Sequence, residues 1–388
     1  MSINEINLQK IAEEDYAMKS TLKTKEGKYY PEKMEELGLK SIERFVDYCP
    51  YPSKYMKFGI TFAHRDLERI ATAMNSGEAW AVVSGLNPSG PLHLGHKAIF
   101  DELLWMQQHG ADIYIPITND ESYVVGKAST IAEARRNAYE LVIPSIIAMG
   151  FDSKKTHIYV DSDYLDIYNI AMDISTKLTL NKVFRVFGFD EKSEGENPGT
   201  IFYRSAVQLA QILLPQYPEF GGPKPTMIPV GIDQHPYILL ARDVATKKDF
   251  IPPSELVTKF LWGFDGKGKM SASRPESSIF LTDDPRDAEK KIRTSYTGGS
   301  PLASFQREHG GIPEICPIWS VRTYHFEEDN RVGEQCASGK LLCGHCKKDA
   351  TEQVTDYLME HQARLPDARK RIDEFLLRTP IKSITDYK

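Results

Sequence analysis

No apolar run in this 388-residue chain approaches the ~20 residues that cross a bilayer. Met1 to Tyr16 is polar and acidic, without the apolar core of a secretory signal. Cationic residues are not in excess. A total of 48 Lys and Arg against 54 Asp and Glu leaves a net charge of −6, so any face for nucleic acid has to be local. Lys347-Lys348 and Arg364 to Arg371 are the candidates, although a solvated helix face accounts for either alone. Internal repeats and low-complexity tracts are absent. Five cysteines, an odd number, do not suit a disulfide framework. A cytosolic protein with no membrane segment is expected. With 41% apolar and 26% charged residues, the chain has a globular composition and the length for two or three domains.

What the chain does have is a pair of short motifs, far apart. The apolar, partly β-branched stretch Ala79 to Ser84 reads as a buried strand, ended by the turn formers Gly85, Asn87 and Pro88. His96 to Gln108 shows helical spacing of Ile99, Phe100, Leu103, Leu104 and Trp105. Between them lies Pro88-Ser89-Gly90-Pro91-Leu92-His93-Leu94-Gly95-His96. The motif therefore sits at a helix N-terminus, where unpaired N–H groups and the helix dipole favour an anion. Gly95 would let a nucleotide approach the backbone. His93 and His96 can donate to phosphate oxygens as charge develops there. The plainer alternative is two histidines that cap or pack the helix start.

The second motif is Lys269-Met270-Ser271-Ala272-Ser273. Three glycines in the preceding Gly263 to Gly268 predict a mobile loop. Such a loop can close over a substrate and bring the Lys269 ammonium to a pyrophosphate leaving group. Ser271 and Ser273 add hydroxyl donors. The alternative is a solvated basic turn. Both motifs together, in this order, point to ATP-dependent adenylate formation.

Around the motifs, strand and helix patterns alternate from about 76 to 285. Asp112–Ile117, Thr156–Val160 and 226–231 read as strands, and Thr130–Met149 and Tyr237–Ala245 as helices. This predicts an α/β, Rossmann-type parallel-sheet catalytic domain over 76–285. Residues 1–75 are charged and mostly helical in pattern, with a break at Pro50-Tyr51-Pro52, and read as an N-terminal extension. Beyond Asp284 the pattern turns helical, so 286–388 is expected to be a separate α-helical domain.

At this point the residues carry a family. From about residue 57 the chain resembles the class I aminoacyl-tRNA synthetases, most closely the archaeal and eukaryotic tryptophanyl-tRNA synthetases. The resemblance rests on Phe62-Ala63-His64-Arg65-Asp66, the two motifs, Thr118-Asn119-Asp120-Glu121 and Gly231-Ile232-Asp233-Gln234. Arg242-Asp243-Val244-Ala245, Ser278 to Asp284 and Glu360-His361-Gln362 complete it, with alanine between the serines of the second motif. It implies activation of an amino acid by ATP with Mg²⁺, followed by transfer to tRNA, and a homodimer whose helical C-terminal domain binds the anticodon. By resemblance, Pro88, Ser89, Gly90, His93, Gly95 and His96 bind ATP, as do Asp233, Gln234 and Met270. Lys269, Ser271 and Ser273 stabilise the transition state together with the two histidines. Glu121, Gln208 and Gln234 face the amino-acid ammonium, a surface charge being the alternative for Glu121.

The side-chain pocket departs from that pattern. Val83 and Pro116 stand where this family usually has a tyrosine and a glutamine that recognise the indole N–H. Gln211 can substitute, since an amide both accepts and donates; the alternative is a polar residue on an outer helix face. A tyrosine-specific enzyme, and a relative that binds without charging tRNA, therefore stay open beside tryptophan and its tRNA. His235 replaces a usual aspartate and reads as a helix-start residue without a catalytic role. Cys316, Cys336, Cys343 and Cys346 form a set, the last three with C-x6-C-x2-C spacing. Four thiolates suit tetrahedral zinc or an iron–sulfur cluster. Similar cysteines carry a [4Fe–4S] cluster in some family members, which puts the cluster ahead of zinc. Cys49 reads as a small packing residue.

Overall fold

In a computed structural model, residues 3–47, 49–188 and 197–385 are described; residues 1–2 and 386–388 of the expected terminal regions lie outside them. The framework is one seven-stranded sheet in the order β1-β2-β7-β6-β3-β4-β5. Its strands are β1 (Lys40–Ser41), β2 (Thr61–Arg65), β3 (Ala81–Val83), β4 (Asp112–Ile117), β5 (Thr156–Val160), β6 (Thr226–Val230) and β7 (Ser254–Thr258). The five strands from β3 to β7 run parallel, with Val83 opposite Tyr114 and Val82 opposite Met227. The two at the other edge are antiparallel, His64 facing Leu256. Those two fall in the stretch whose pattern reads as mostly helical; short strands with His and Arg at an edge give no clear period-two signal.

The helices that matter to the site are α1 (Ile3–Glu36), α2 (Leu94–Gln108), α3 (Asn119–Val124), α4 (Gln208–Leu213) and α5 (His235–Lys247). The C-terminal region contributes α6 (Pro285–Thr294), α7 (Pro317–His325) and α8 (Cys343–Lys370). Both sheet faces are covered, as a parallel sheet requires. One core joins Val82, Ile113, Ile115 and Ile158 to α2 and to the inner faces of α7 and α8. The other joins Ala81, Val83, Tyr114 and Tyr159 to α4 and α5. β3 leads to one side of the sheet through β4 and β5, while β6 and β7 lie on its other side. The crevice where strand order reverses, at the carboxyl ends of β3 and β6, is where such sheets bind ligands.

α8 docks on the catalytic sheet's helices rather than standing apart. His361 Nε2 lies 2.9 Å from Ser145 Oγ, both buried, and Gln362 Nε2 donates to the carbonyls of Leu281 and Asp283 at 3.1 and 2.9 Å.

Candidate active site

His93 is the N-cap of α2, with extended backbone, and its Nδ1 accepts the Gly95 N–H at 3.1 Å. The Nδ1 of His96 accepts the His93 N–H at 3.1 Å, so the two rings satisfy the backbone donors of Gly95 and His93 at the helix start. An accepting Nδ1 places the proton of each neutral ring on Nε2. Burial holds the His96 imidazole down at about 4, and burial plus the facing His96 holds that of His93 lower still. Both rings are neutral at physiological pH and offer an Nε2–H edge. Capping and phosphate binding are thus not rivals: one nitrogen of each ring does the first and the other can do the second. Gly95 is needed for a reason the sequence did not show, because a Cβ there would lie 2.9 Å from the His93 ring.

The segment that follows the second motif, around Phe280, pairs antiparallel with the first motif. Leu94 N–H donates to Ile279 O at 3.0 Å and Leu281 N–H to Leu92 O at 2.8 Å. The two motifs share one cavity of about 640 Å³, lined by Ser89, His93, His96, Lys269, Ser271 and Ser273 among others. Gly95 and Met270 also line it. Pro88 is buried, its carbonyl accepting from Asn137, and Gly90 follows in the same loop. Lys269 is half exposed, its Nζ 4.2 Å from the centre of the Phe260 ring and 3.9 Å from Asp233 Oδ2. An exposed pair at that distance is weak, so the ammonium can leave it for a phosphate at little cost.

The loop that carries Lys269 is more tied down than its glycines predict. Arg274 donates to the carbonyls of Lys269 and Lys267 at 2.7 and 3.2 Å and pairs with Asp265 at 2.6 Å. Ser271 N–H reaches the hydroxyls of Ser277 and Ser278 at 3.1 and 3.0 Å, and the Ser271 and Ser273 hydroxyls lie 2.8 Å apart. Arg274 was not singled out from the sequence; a cation directly after the motif, with Asp265 before it, was the available signal.

Toward the amino-acid end, Glu121 Oε2 accepts from Thr118 Oγ1 at 2.8 Å and Asn87 Nδ2 at 3.1 Å, and Asn87 lines the cavity. Gln208 Nε2 donates to Gln234 Oε1 at 3.0 Å. One turn along α4, Gln211 is buried rather than on an outer face. Its Nε2 donates to Asp161 Oδ2 at 2.6 Å, while Oδ1 of the fully buried Asp161 has no donor. Burial, with Asp120 and Glu121 nearby, pushes the Asp161 carboxyl well up. Val83 and Pro116 are buried in the adjoining strands and bring no donor. His235 stands at the start of α5, its Nδ1 2.9 Å from Glu255 Oε2, both buried.

Comparison with known proteins decides the family. The model of the tRNA synthetases class I (W and Y) matches residues 74–359. A tryptophan–tRNA ligase of Pyrobaculum arsenaticum is 38% identical over 335 residues, 84% of this chain and 87% of that protein. One of Methanocaldococcus jannaschii is 36% identical, covering 88% and 93%. The tryptophanyl-tRNA synthetase structure from Aeropyrum pernix K1 superposes with a TM-score of 0.82 at 33% identity, covering 91% and 97%. This chain belongs to the class I tRNA synthetases for tryptophan and tyrosine. It is an aminoacyl-tRNA ligase, and ATP and Mg²⁺ are general to such enzymes.

Within this family fold, the cysteine set converges. Cys316, Cys336, Cys343 and Cys346 line one small cavity beside Thr297 and Lys347. A Cβ at Gly299 would meet Cys343 Sγ at 2.2 Å, and one at Gly311 would meet Cys336 Sγ at 2.7 Å, so both glycines clear room for sulfur. Arg322 Nη1 lies 3.5 Å from Cys346 Sγ. Burial, with the neighbouring thiols, pushes Cys346 up to about 12 and Cys336 higher still. Among the described residues no group of three or more His, Cys, Asp or Glu is arranged to hold a metal ion, so the expected metal centre, iron–sulfur cluster or zinc, is without support here. Cys49 is buried in the core. Lys347, a candidate for nucleic acid, donates instead to the carbonyls of Arg293 and Ser295 at 2.8 and 2.9 Å. No described helix is long and apolar enough to cross a membrane.

Proposed function

We infer that this enzyme activates tryptophan and transfers it to its tRNA. The observation that carries the reading is the convergence of His93, His96 and Lys269 on one cavity in a chain whose relatives are named tryptophan–tRNA ligases. In the first step an oxygen of the amino-acid carboxylate attacks the α-phosphorus of ATP in line. A P–O bond forms as the bond to pyrophosphate breaks, and the leaving group takes the electron pair. Catalysis then rests on positioning and charge stabilisation. The Nε2–H groups of His93 and His96 and the ammonium of Lys269 donate to the oxygens that gain charge, with Ser271 and Ser273 beside them. Pro88, Ser89, Gly90, Gly95 and Met270 shape the nucleotide site. Asp233 and Gln234 contact ribose or the substrate ammonium, which Glu121 and Gln208 also receive.

For the side chain, buried Asp161 and Gln211 would supply the polar contact, with Val83 and Pro116 buried in the adjoining strands. The Asp161 Oδ1, which has no partner in the structure, can accept the indole N–H, and a site built on such a bond discriminates strongly. The decisive experiment is amino-acid-dependent ATP–pyrophosphate exchange across all twenty amino acids, followed by tRNA charging. Exchange with tryptophan alone supports the reading. Exchange with tyrosine reassigns the pocket, and none with any amino acid points to a relative that does not charge tRNA.

The rest of the reading concerns organisation. The catalytic unit is built on 76–285, the 1–75 extension adding the edge strands β1 and β2 to its sheet, and 286–388 forms the anticodon-binding unit. The enzyme works in the cytoplasm as a homodimer. The four cysteines would hold a [4Fe–4S] cluster, four thiolates in a glycine-cleared cavity with a guanidinium nearby being a suitable donor set. Such a group would tie the segment before α7 to the start of α8. Iron content and the visible absorption of anaerobically purified protein test it.

A further inference from the structure

α1 lies outside the residues matched by the family model, yet it touches the catalytic loop where it matters. The indole N–H of Trp262 sits between both carboxylate oxygens of Glu26, at 3.0 and 3.1 Å. Trp262 is the residue whose backbone faces Lys269 in an antiparallel bridge. Around that bridge Met270 N–H donates to Leu261 O at 3.0 Å and Gly263 N–H to Gly268 O at 2.7 Å. Two residues earlier is Phe260, whose ring carries the Lys269 ammonium and whose N–H donates to Tyr30 Oη at 3.4 Å. Glu26 and Tyr30 are four residues apart on α1 and so share a face. Both aromatic residues that touch Lys269 are therefore tied to one face of this helix.

The same helix also holds the far side of the loop. Buried Lys19 donates to Gly299 O at 2.6 Å, its Nζ 5.2 Å from the Tyr296 ring centre. Tyr296 N–H in turn donates to Phe264 O at 2.8 Å. Lys23 pairs with Glu314 at 2.8 Å. The segment carrying the second motif thus leaves one anchored leg and returns to another, and α1 spans both.

We propose that α1 braces the Lys269 loop, with Glu26 as a positioning residue that acts through Trp262. The proposal rests on the adenylate-forming reading above. The brace fixes the strand from which Lys269 is presented and leaves the tip of the loop to close on the nucleotide. Because Glu121, Gln208 and Gln211 lie on other elements, loosening it is expected to affect turnover rather than tryptophan binding.

The test compares the full-length wild type with Glu26→Ala, Glu26→Gln, Trp262→Phe and the Glu26→Ala/Trp262→Phe double variant. Pyrophosphate exchange gives kcat and the tryptophan KM, and limited trypsin digestion gives the rate of cleavage after Lys267 and Lys269. Glu26→Ala is expected to lower kcat about tenfold, equivalent to ~1.4 kcal/mol, with the tryptophan KM within about twofold. Cleavage in the loop should speed up by a similar factor. Glu26→Gln keeps an oxygen for the indole N–H and should recover most of both losses. Trp262→Phe should match Glu26→Ala, and the double variant should be no worse than either. Wild-type kcat and wild-type cleavage in Glu26→Ala overturn the proposal, as does Glu26→Gln no better than Glu26→Ala. A kcat loss without faster cleavage also overturns it. Should Glu26→Ala fail to fold, Trp262→Phe decides by the same two readouts. If wild type exchanges with no amino acid, the functional reading fails instead, and the trypsin comparison alone decides the brace.

Discussion

Gln211 Nε2 donates to Asp161 Oδ2 across 2.6 Å, with both side chains buried and the second carboxylate oxygen facing no donor. A buried acceptor left open in this way costs stability unless a proton or a ligand satisfies it. Asp161→Asn should therefore leave the melting temperature close to that of wild type, because burial and the neighbouring Asp120 already drive this carboxyl toward its neutral form. The tryptophan KM in exchange should rise by about 10–100-fold, matching ~1.4–2.8 kcal/mol for a buried donor left without its acceptor. An unchanged KM would mean that Asp161 serves packing alone.

His96→Asn separates the two duties of that ring. The asparagine amide can stand where Nδ1 accepts the His93 N–H, but nothing replaces Nε2–H. Thermal stability should stay near that of wild type, while kcat for exchange falls by about 10²-fold, as on losing one transition-state donor. Stability and rate falling together would show that the ring matters only as a cap.

Lys269→Ala removes the one ammonium that the second motif brings to the cavity. A barrier increase of about 2–4 kcal/mol in adenylate formation is expected, read as single-turnover rate at saturating ATP. The resting contacts of Lys269 are exposed, so stability should barely change. Turnover equal to wild type would remove Lys269 from the mechanism.

Much of this was legible in the residues. The strand expected over Asp112–Ile117 has those bounds, and Thr156–Val160 likewise, because buried parallel strands are continuous apolar runs with sharp turn residues at their ends. The placement of both motifs follows from the same local signals. Pairings distant in sequence left no such signal. Nothing near Asp161 marks it as the partner of Gln211, fifty residues on. The β1 and β2 edge strands were equally hidden, since an antiparallel edge is defined by the strand it joins. Arg274 shows a third kind of gap: it stabilises the loop through backbone carbonyls, which any sequence offers.

The buried histidines set the pH at which the fold is most stable. His64, His96, His325 and His361 are held at about 4, chiefly by burial, against an ordinary value of 6.5. Between those values the unfolded chain binds more protons than the native one, so stability rises with pH and is lost as pH falls from 6.5 toward 4. Each site contributes up to ~3 kcal/mol over that window. Glu102 works in the opposite direction: burial raises its carboxyl to about 8, so stability declines as pH climbs from 4.5 to 8. Four sites outweigh one below pH 6.5, and above it only Glu102 among these still titrates. Urea unfolding from pH 4.5 to 8.5 should therefore show a maximum near 6.5, steep on the acid side and shallow on the alkaline side. His361→Asn should flatten the acid limb, since an amide carries no proton into the unfolded state. A stability that kept rising on acidification below 6.5 would contradict the neutral, buried state of these rings.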